Sequence, residues 1–206
     1  MKKTILALLL ILFSASSCLA ASVQESLKAV VKSRGGAALT CTTANDVEIY
    51  SNITAASNGN FGYTSWIAQR FVLSATTRIT AFTFYLEDAV TYDSCNVLIS
   101  IYSDSSGLPG TEISGSGGVS LAETSMADGV LGTYEIALTA PKELAPGTYW
   151  LVMHSDHASE TASTVWRYGN GTIAGALRAL STNGGSTWSA AVGADDEGRY
   201  SIRGCQ

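Results

Sequence analysis

Four short runs dominate this chain: WIAQRFVL (66–73), RITAFTFYL (78–86), CNVLISIYS (95–103) and GTYWLVMH (147–154). Each is apolar on both faces of an extended strand, or nearly so. All are too short for ordinary helices and rich in β-branched and aromatic residues, so they read as central strands. A second type of run alternates. Tyr134, Ile136 and Leu138 interleave with Glu135, Ala137 and Thr139, and Tyr200 and Ile202 with Arg199, Ser201 and Arg203. That period of two belongs to antiparallel strands with one wet face. Shorter strands are expected near VEIY (47–50), GVSLA (118–122), STVWRY (163–168) and STWSA (186–190).

Between these runs lie SDSSGLPG, SGSGG, MADG, APG, YGNG, TNGG and ADDEG. Such clusters supply positive-φ glycine, a fixed proline φ, or Asn/Asp bonds to the backbone. Twenty glycines against 14% charged residues fit a turn-rich β protein. About ten strands at this spacing, with no repeated period, imply an all-β fold: a two-sheet antiparallel β-sandwich of jelly-roll or related Greek-key type. The 206 residues suit one domain, with no interdomain linker.

The beginning of the chain reads differently. MKKTILALLLILFSASSCLAAS combines Lys2 and Lys3 with an apolar run from Ile5 to Phe13 and then small residues. It is too short to span a bilayer comfortably and reads as a bacterial-type export signal over residues 1–20, cleaved after Ala20 or Ala21. The alternative is lipidation at Cys18, because Ala15-Ser16-Ser17-Cys18 is an imperfect lipobox with Ala in place of the usual Leu. Residues 21–40 form the lead-in. There Ser22 and Glu25 make a capping box, Val23, Leu27, Val30 and Val31 share one face, and Gly35-Gly36 ends a short helix. The sandwich then occupies 41–206. Loss of residues 1–20 removes Lys2 and Lys3 but no acid, taking the formal charge from −5 to −7. That charge offers no basic stripe for nucleic acid, and no second apolar run approaches spanning length.

Cys41, Cys95 and Cys205 remain after such cleavage. Export permits disulfides. Cys41–Cys205 would tie the two ends of the sandwich together and leave Cys95 as a thiol in an apolar strand. Cys41–Cys95 is the rival pairing. No Cys/His spacing fits zinc.

Three segments carry a resemblance. IAQRFVLSATTRITAFTFYL, VLISIYSDSSGLPGTEI and LAPGTYWLVM resemble successive strands of the choice-of-anchor domains, especially the R type, of bacterial secreted and surface-attached proteins. The similarity covers roughly residues 60 to 204, and its middle segment is the most specific. It implies a β-sandwich displayed outside the cytoplasm, with no catalytic motif to carry over. Family members commonly end in an anchor or sorting signal, whereas this chain ends in IRGCQ.

Candidate chemistry is sparse. His154, Asp156 and His157, with Glu160 beyond, follow the strand 147–153 and read as a strand-end loop, a weak metal candidate. Asp195, Asp196 and Glu197 offer oxygen donors for a structural calcium ion, without EF-hand spacing. Neither Gly-x-Ser-x-Gly nor His-Glu-x-x-His occurs, so a hydrolase, metal-dependent or otherwise, is the third reading behind binding and display. Aromatic residues make the best binding case. Trp166 and Tyr168 share a strand face, Arg167 lies opposite, and Trp188 follows Asn183. If their strands are neighbours, the three rings form a platform for sugar faces, with Arg167 and Asn183 as polar contacts. Trp66 and Trp150 read as core. The leading expectation is thus a non-catalytic extracellular module that binds a glycan or another surface ligand; a structural or adhesive display domain is the alternative.

Overall fold

A computed structural model of the protein describes residues 39–42, 46–52, 57–88, 96–116, 119–127, 129–156, 164–169, 178–191, 197–198 and 200–206. The expected export signal, Cys18, the expected helix at 22–34, Cys95, His157, Asp195 and Asp196 lie outside these residues. The described elements are strands β1 (Val47–Asn52), β2 (Ser57–Phe61), β3 (Trp66–Leu73), β4 (Thr77–Asp88), β5 (Asn96–Ser105), β6 (Leu108–Glu112) and β7 (Val119–Ala122). After a single 3-10 turn at Glu123–Ser125 come β8 (Leu131–Leu144), β9 (Gly147–Ser155), β10 (Thr164–Gly169), β11 (Arg178–Ser181), β12 (Ser189–Ala191), β13 (Glu197–Gly198) and β14 (Tyr200–Cys205). None of the helices among the described residues is long and apolar enough to cross a membrane.

The strands form two antiparallel seven-stranded sheets. In the first, the order is β1-β14-β4-β10-β13, with β8 along the other edge of β4 and β2 on β10. In the second it is β12-β11-β3-β9-β5-β6, with β7 also on β5. Successive long strands change sheets: β3 to β4, β4 to β5, and β8 to β9. Non-local pairing therefore dominates, and a single buried cluster draws on both sheets. The first contributes Ile79, Phe82, Phe84, Leu86, Ile136, Tyr200 and Ile202; the second contributes Ile67, Phe71, Val97, Ile99, Ile101, Leu151 and Met153. This β-sandwich-like packing follows from period-two patterning, since those residues alternate with outward ones along each strand. Full burial of each such side chain stabilises the fold by about 1.5–3 kcal/mol.

The outward faces differ. On the first sheet β8 alternates buried Ile136 and Leu138 with exposed Glu135, Ala137 and Thr139. On the second sheet several outward positions are buried as well. Register sets Arg70, Trp150 and Tyr102 in one row across β3, β9 and β5. The next row holds Ala179, Ala68, Val152 and Ser100. Small residues thus floor a trough whose walls are large. Trp188 fills it: its ring stands edge-on to Trp66 and to Tyr102, 6.4 Å between centroids in each case. Around it, Ala68, Trp150, Val152 and Ala179 form a second buried cluster. Trp150 is wholly buried, and its indole N–H donates to Asp104 Oδ1 at 2.8 Å, which satisfies the one polar atom of that side chain.

Several expectations change here. LPGTE, read as turn, forms β6; it pairs only with β5, an edge where Pro109 costs no ladder bond. SNGNF and RALS form β2 and β11 despite weak patterning, held by β10 and by β3 with β12. Trp66, read as core, is only partly buried and opens a cavity described below.

Cys41 and Cys205 are bridged across 164 residues of sequence. Cys205 sits opposite Arg78 of β4, so the bridge fastens the segment before β1 to β14 where it pairs with β4. Closing so long a loop restricts the unfolded chain strongly. Mass spectrometry of exported, non-reduced protein is expected to find Cys41 joined to Cys205, and replacing both with Ser is expected to cost about 2–5 kcal/mol in denaturant unfolding. An unchanged unfolding midpoint would contradict this role.

Candidate functional site

The row beyond the trough begins the site. Ser181 pairs with Trp66, and His154 with Leu98, while Ile67 opposite Met153 brings Trp66 beside His154 on the same outward face. The two rings stack, with centroids 3.9 Å apart and planes 8° from parallel. His154 is therefore part of strand β9 and not of a strand-end loop. The period of two that places Trp150 and Val152 outward carries on to it.

A cavity of about 440 Å³ opens at this row, lined by Tyr63, Trp66, His154, Asp156 and Asn183 together with Thr64, Leu98, Ser155 and Gly184. Each wall is fixed by local chemistry. The Trp66 indole N–H donates to the Tyr63 carbonyl at 2.7 Å, and Gly62 N–H donates to the Ser65 carbonyl at 2.8 Å, closing the turn that presents Tyr63. Tyr63 is 43% exposed, the most accessible ring of the cavity. Asp156 is oriented by Asn96, whose backbone N–H reaches one carboxylate oxygen and whose side-chain amide reaches the other, both at 2.8 Å.

The opposite wall is the turn after β11. Asn183 Oδ1 accepts from Thr187 N–H and from the Ser181 hydroxyl, both at 2.9 Å, while Asn183 Nδ2 donates to Thr187 Oγ1 at 2.9 Å. Gly184 N–H donates to the Thr64 carbonyl at 3.0 Å and so joins this turn to the Tyr63 loop. Gly185 has φ +76°, and a Cβ there would lie 2.5 Å from Cζ3 of Trp66. Only glycine permits both the left-handed backbone and its close approach to the indole.

Burial lowers the His154 pKa below its ordinary value, against weaker upward pulls from the Ser155 carbonyl, Glu112 and Asp156. Its Nδ1 lies 3.0 Å from the Ser155 carbonyl. In the neutral ring Nδ1 is then the donor, and Nε2 keeps its lone pair.

Of the residues singled out in the sequence, His154, Asp156 and Asn183 meet at this cavity, and Trp188 packs beside it against Trp66. Asn183 serves its own turn with most of its amide. The expected ring platform is conditional on neighbouring strands, and these strands are not neighbours. β10, which carries Trp166, Arg167 and Tyr168, belongs to the first sheet, whereas Trp188 leads into β12 of the second. The side chains of Trp166, Arg167, Tyr168 and Glu197 lie outside the described residues; β13 places Glu197 opposite Gly169. Among the described residues no three His, Cys, Asp or Glu side chains gather as a metal site. Sequence reasoning missed Tyr63 and Trp66, because which strands are neighbours decides that Trp66 meets His154. No family model matches the chain, and no curated protein matches it.

The lowered His154 pKa has a thermodynamic sign. As pH falls below about 6.5, the unfolded chain takes up this proton before the folded one does. His154 thus contributes stability above that pH, and the contribution is lost as pH falls through its folded pKa. His154→Phe, which keeps a ring against Trp66, is expected to show a smaller drop in Tm between pH 7 and pH 5 than the parent. Parallel profiles for the two proteins would contradict the assignment.

Proposed function

We propose that this chain is a non-catalytic extracellular module, a β-sandwich of jelly-roll type, that binds a glycan at the Tyr63–Trp66–His154 cavity. The observation that carries the reading is the cavity's composition: an exposed tyrosine ring, a carboxylate held in place by Asn96, and an amide-built turn, gathered where strands of the second sheet end. Sugars present apolar C–H faces and rings of hydroxyl donors, which match an aromatic surface flanked by fixed acceptors. Its volume suits one or two sugar units. The export signal and the resemblance to choice-of-anchor domains support a place outside the cytoplasm, free or tethered through Cys18.

A display role without a small ligand is the second reading, and one observation favours it. Trp188 is partly buried, edge-on to both Trp66 and Tyr102, so this ring serves packing of the sheet's outward face.

Tyr63→Ala separates the two. Tyr63 holds the Trp66 indole through its backbone carbonyl, so the change leaves that bond and the melting temperature nearly intact. On a glycan array, the parent is expected to retain a defined set of oligosaccharides that the variant loses at least ten-fold. Equal retention by both would remove the cavity from the binding role.

A further inference from the structure

The cavity and the disulfide lie at opposite ends of the same strands. The cavity sits where β3 begins and β9 ends, at Trp66 and His154. β3 finishes at Leu73, which pairs with Gly147, the first residue of β9. From Trp66 to Leu73 the extended strand covers about 23 Å. At that far pole the chain turns through Ser74, Ala75 and Thr76 into β4, and the Thr77 hydroxyl closes the turn by donating to the Ala75 carbonyl at 3.0 Å. The next residue, Arg78, pairs with Cys205, which is bridged to Cys41. Two further bonds gather here. Leu39 N–H donates to Glu143 Oε2 at 2.9 Å, and Gln206 Nε2 donates to Thr77 Oγ1 at 3.2 Å. The segments that enter and leave the sandwich are thus fastened together at the pole farthest from the cavity.

A ligand held at the cavity pulls on β3 along its axis. β3 is an interior strand, paired with β9 from Ile67 to Leu73 and with β11 on its other side. Antiparallel ladder bonds lie perpendicular to the strands, so an axial pull loads them together and not one after another. Tension then passes through the 74–76 turn into β4, which β14 and β8 flank, and across the bridge from Cys205 to Cys41. Without the bridge, the same pull on the chain before Cys41 enters at β1. That strand pairs only with β14 among the described strands, its ladder is interrupted by a bulge between Glu48 and Tyr50, and ahead of it Asp46 accepts from Thr80 and pairs with Arg203. We infer that the sandwich is a load-bearing coupler: a pull between the cavity and the chain before Cys41 is carried by β3, β4 and β14 through the Cys41–Cys205 bridge, and β1 is held out of the load. This rests on the reading of a displayed binding module and adds adhesion under tension to it.

The test needs neither ligand nor anchor, so it can fail while glycan binding stands. The full chain, oxidised so that the bridge is closed, is pulled in an optical trap between a tag at its N-terminus and an azide-bearing residue in place of Thr64, which is exposed beside the cavity. Release of residues 41–64 is read as a step of no more than about 85 Å, their fully extended length. In the double variant Cys41→Ser, Cys205→Ser that step is expected at less than about half the parent's force, because one edge ladder then bears the load. Ile99→Ala, which hollows the core from β5 and lies off the path, controls for lost stability and is expected to yield within about one fifth of the parent's force. Should the double variant fail to fold, single parent molecules are compared before and after reductant in the same trap. A bridge-free protein that holds as well as the parent, or an Ile99→Ala force lowered as far as the bridge-free one, overturns the inference.

Discussion

The structure depends on how the second sheet hides its outward face. An antiparallel sheet usually leaves one face to water, and the first sheet does so along β8. The second cannot, because Trp150, Val152, Ala68 and Ala179 project outward and are buried. Trp188 covers them from a loop, its ring lodged in the trough floored by small side chains. The turn that carries Trp188 is drawn together by Asn183, Ser181 and Thr187, so packing and turn chemistry act on the same stretch, residues 181–188. Without a small floor at Ala68 and Ala179 the indole would not fit between Trp66 and Tyr102. Without the turn it would not be delivered there.

The cavity is a consequence of that closure. Covering the trough places the 182–187 turn above the end of the sheet, and the Gly184 bond to Thr64 joins it to the loop that presents Tyr63. Trp66 is held by His154 stacking, by the Gly185 backbone and by its bond to Tyr63. Its indole is thereby a wall, not a stacking surface, which leaves Tyr63 as the ring a ligand can reach. Such immobile walls reduce the ordering cost of binding, and a pocket of this kind can discriminate by charge and donor pattern with few contacts.

Much of the fold can be read from strand patterning. Runs apolar on both faces mark β3, β5 and β9 of the second sheet, and the alternation of Tyr134, Ile136 and Leu138 marks β8 with its wet face. β6 was not legible, because Pro109 and Gly110 give a turn signal that only an edge position overrides. β2 and β11 lack hydrophobic alternation and owe their extension to neighbours far along the chain. The site was legible only in pieces. His154, Asp156 and Asn183 stand out by residue type, yet nothing local says that they share a cavity. The pairing of β3 with β9, and of β11 with β3, decides that. Trp188 was likewise visible as an aromatic after a glycine turn, but the strand expected beside it lies in the other sheet.

The central claim is that Trp188 seals the outward face of the second sheet. The most direct measurement is the unfolding free energy of Trp188→Ala against the parent in urea. Loss of about 3 kcal/mol, the low end for truncating a packed tryptophan, is the expected result. A change below about 0.5 kcal/mol, the size usual for a surface residue, would contradict it and make the ring an accessory of the surface.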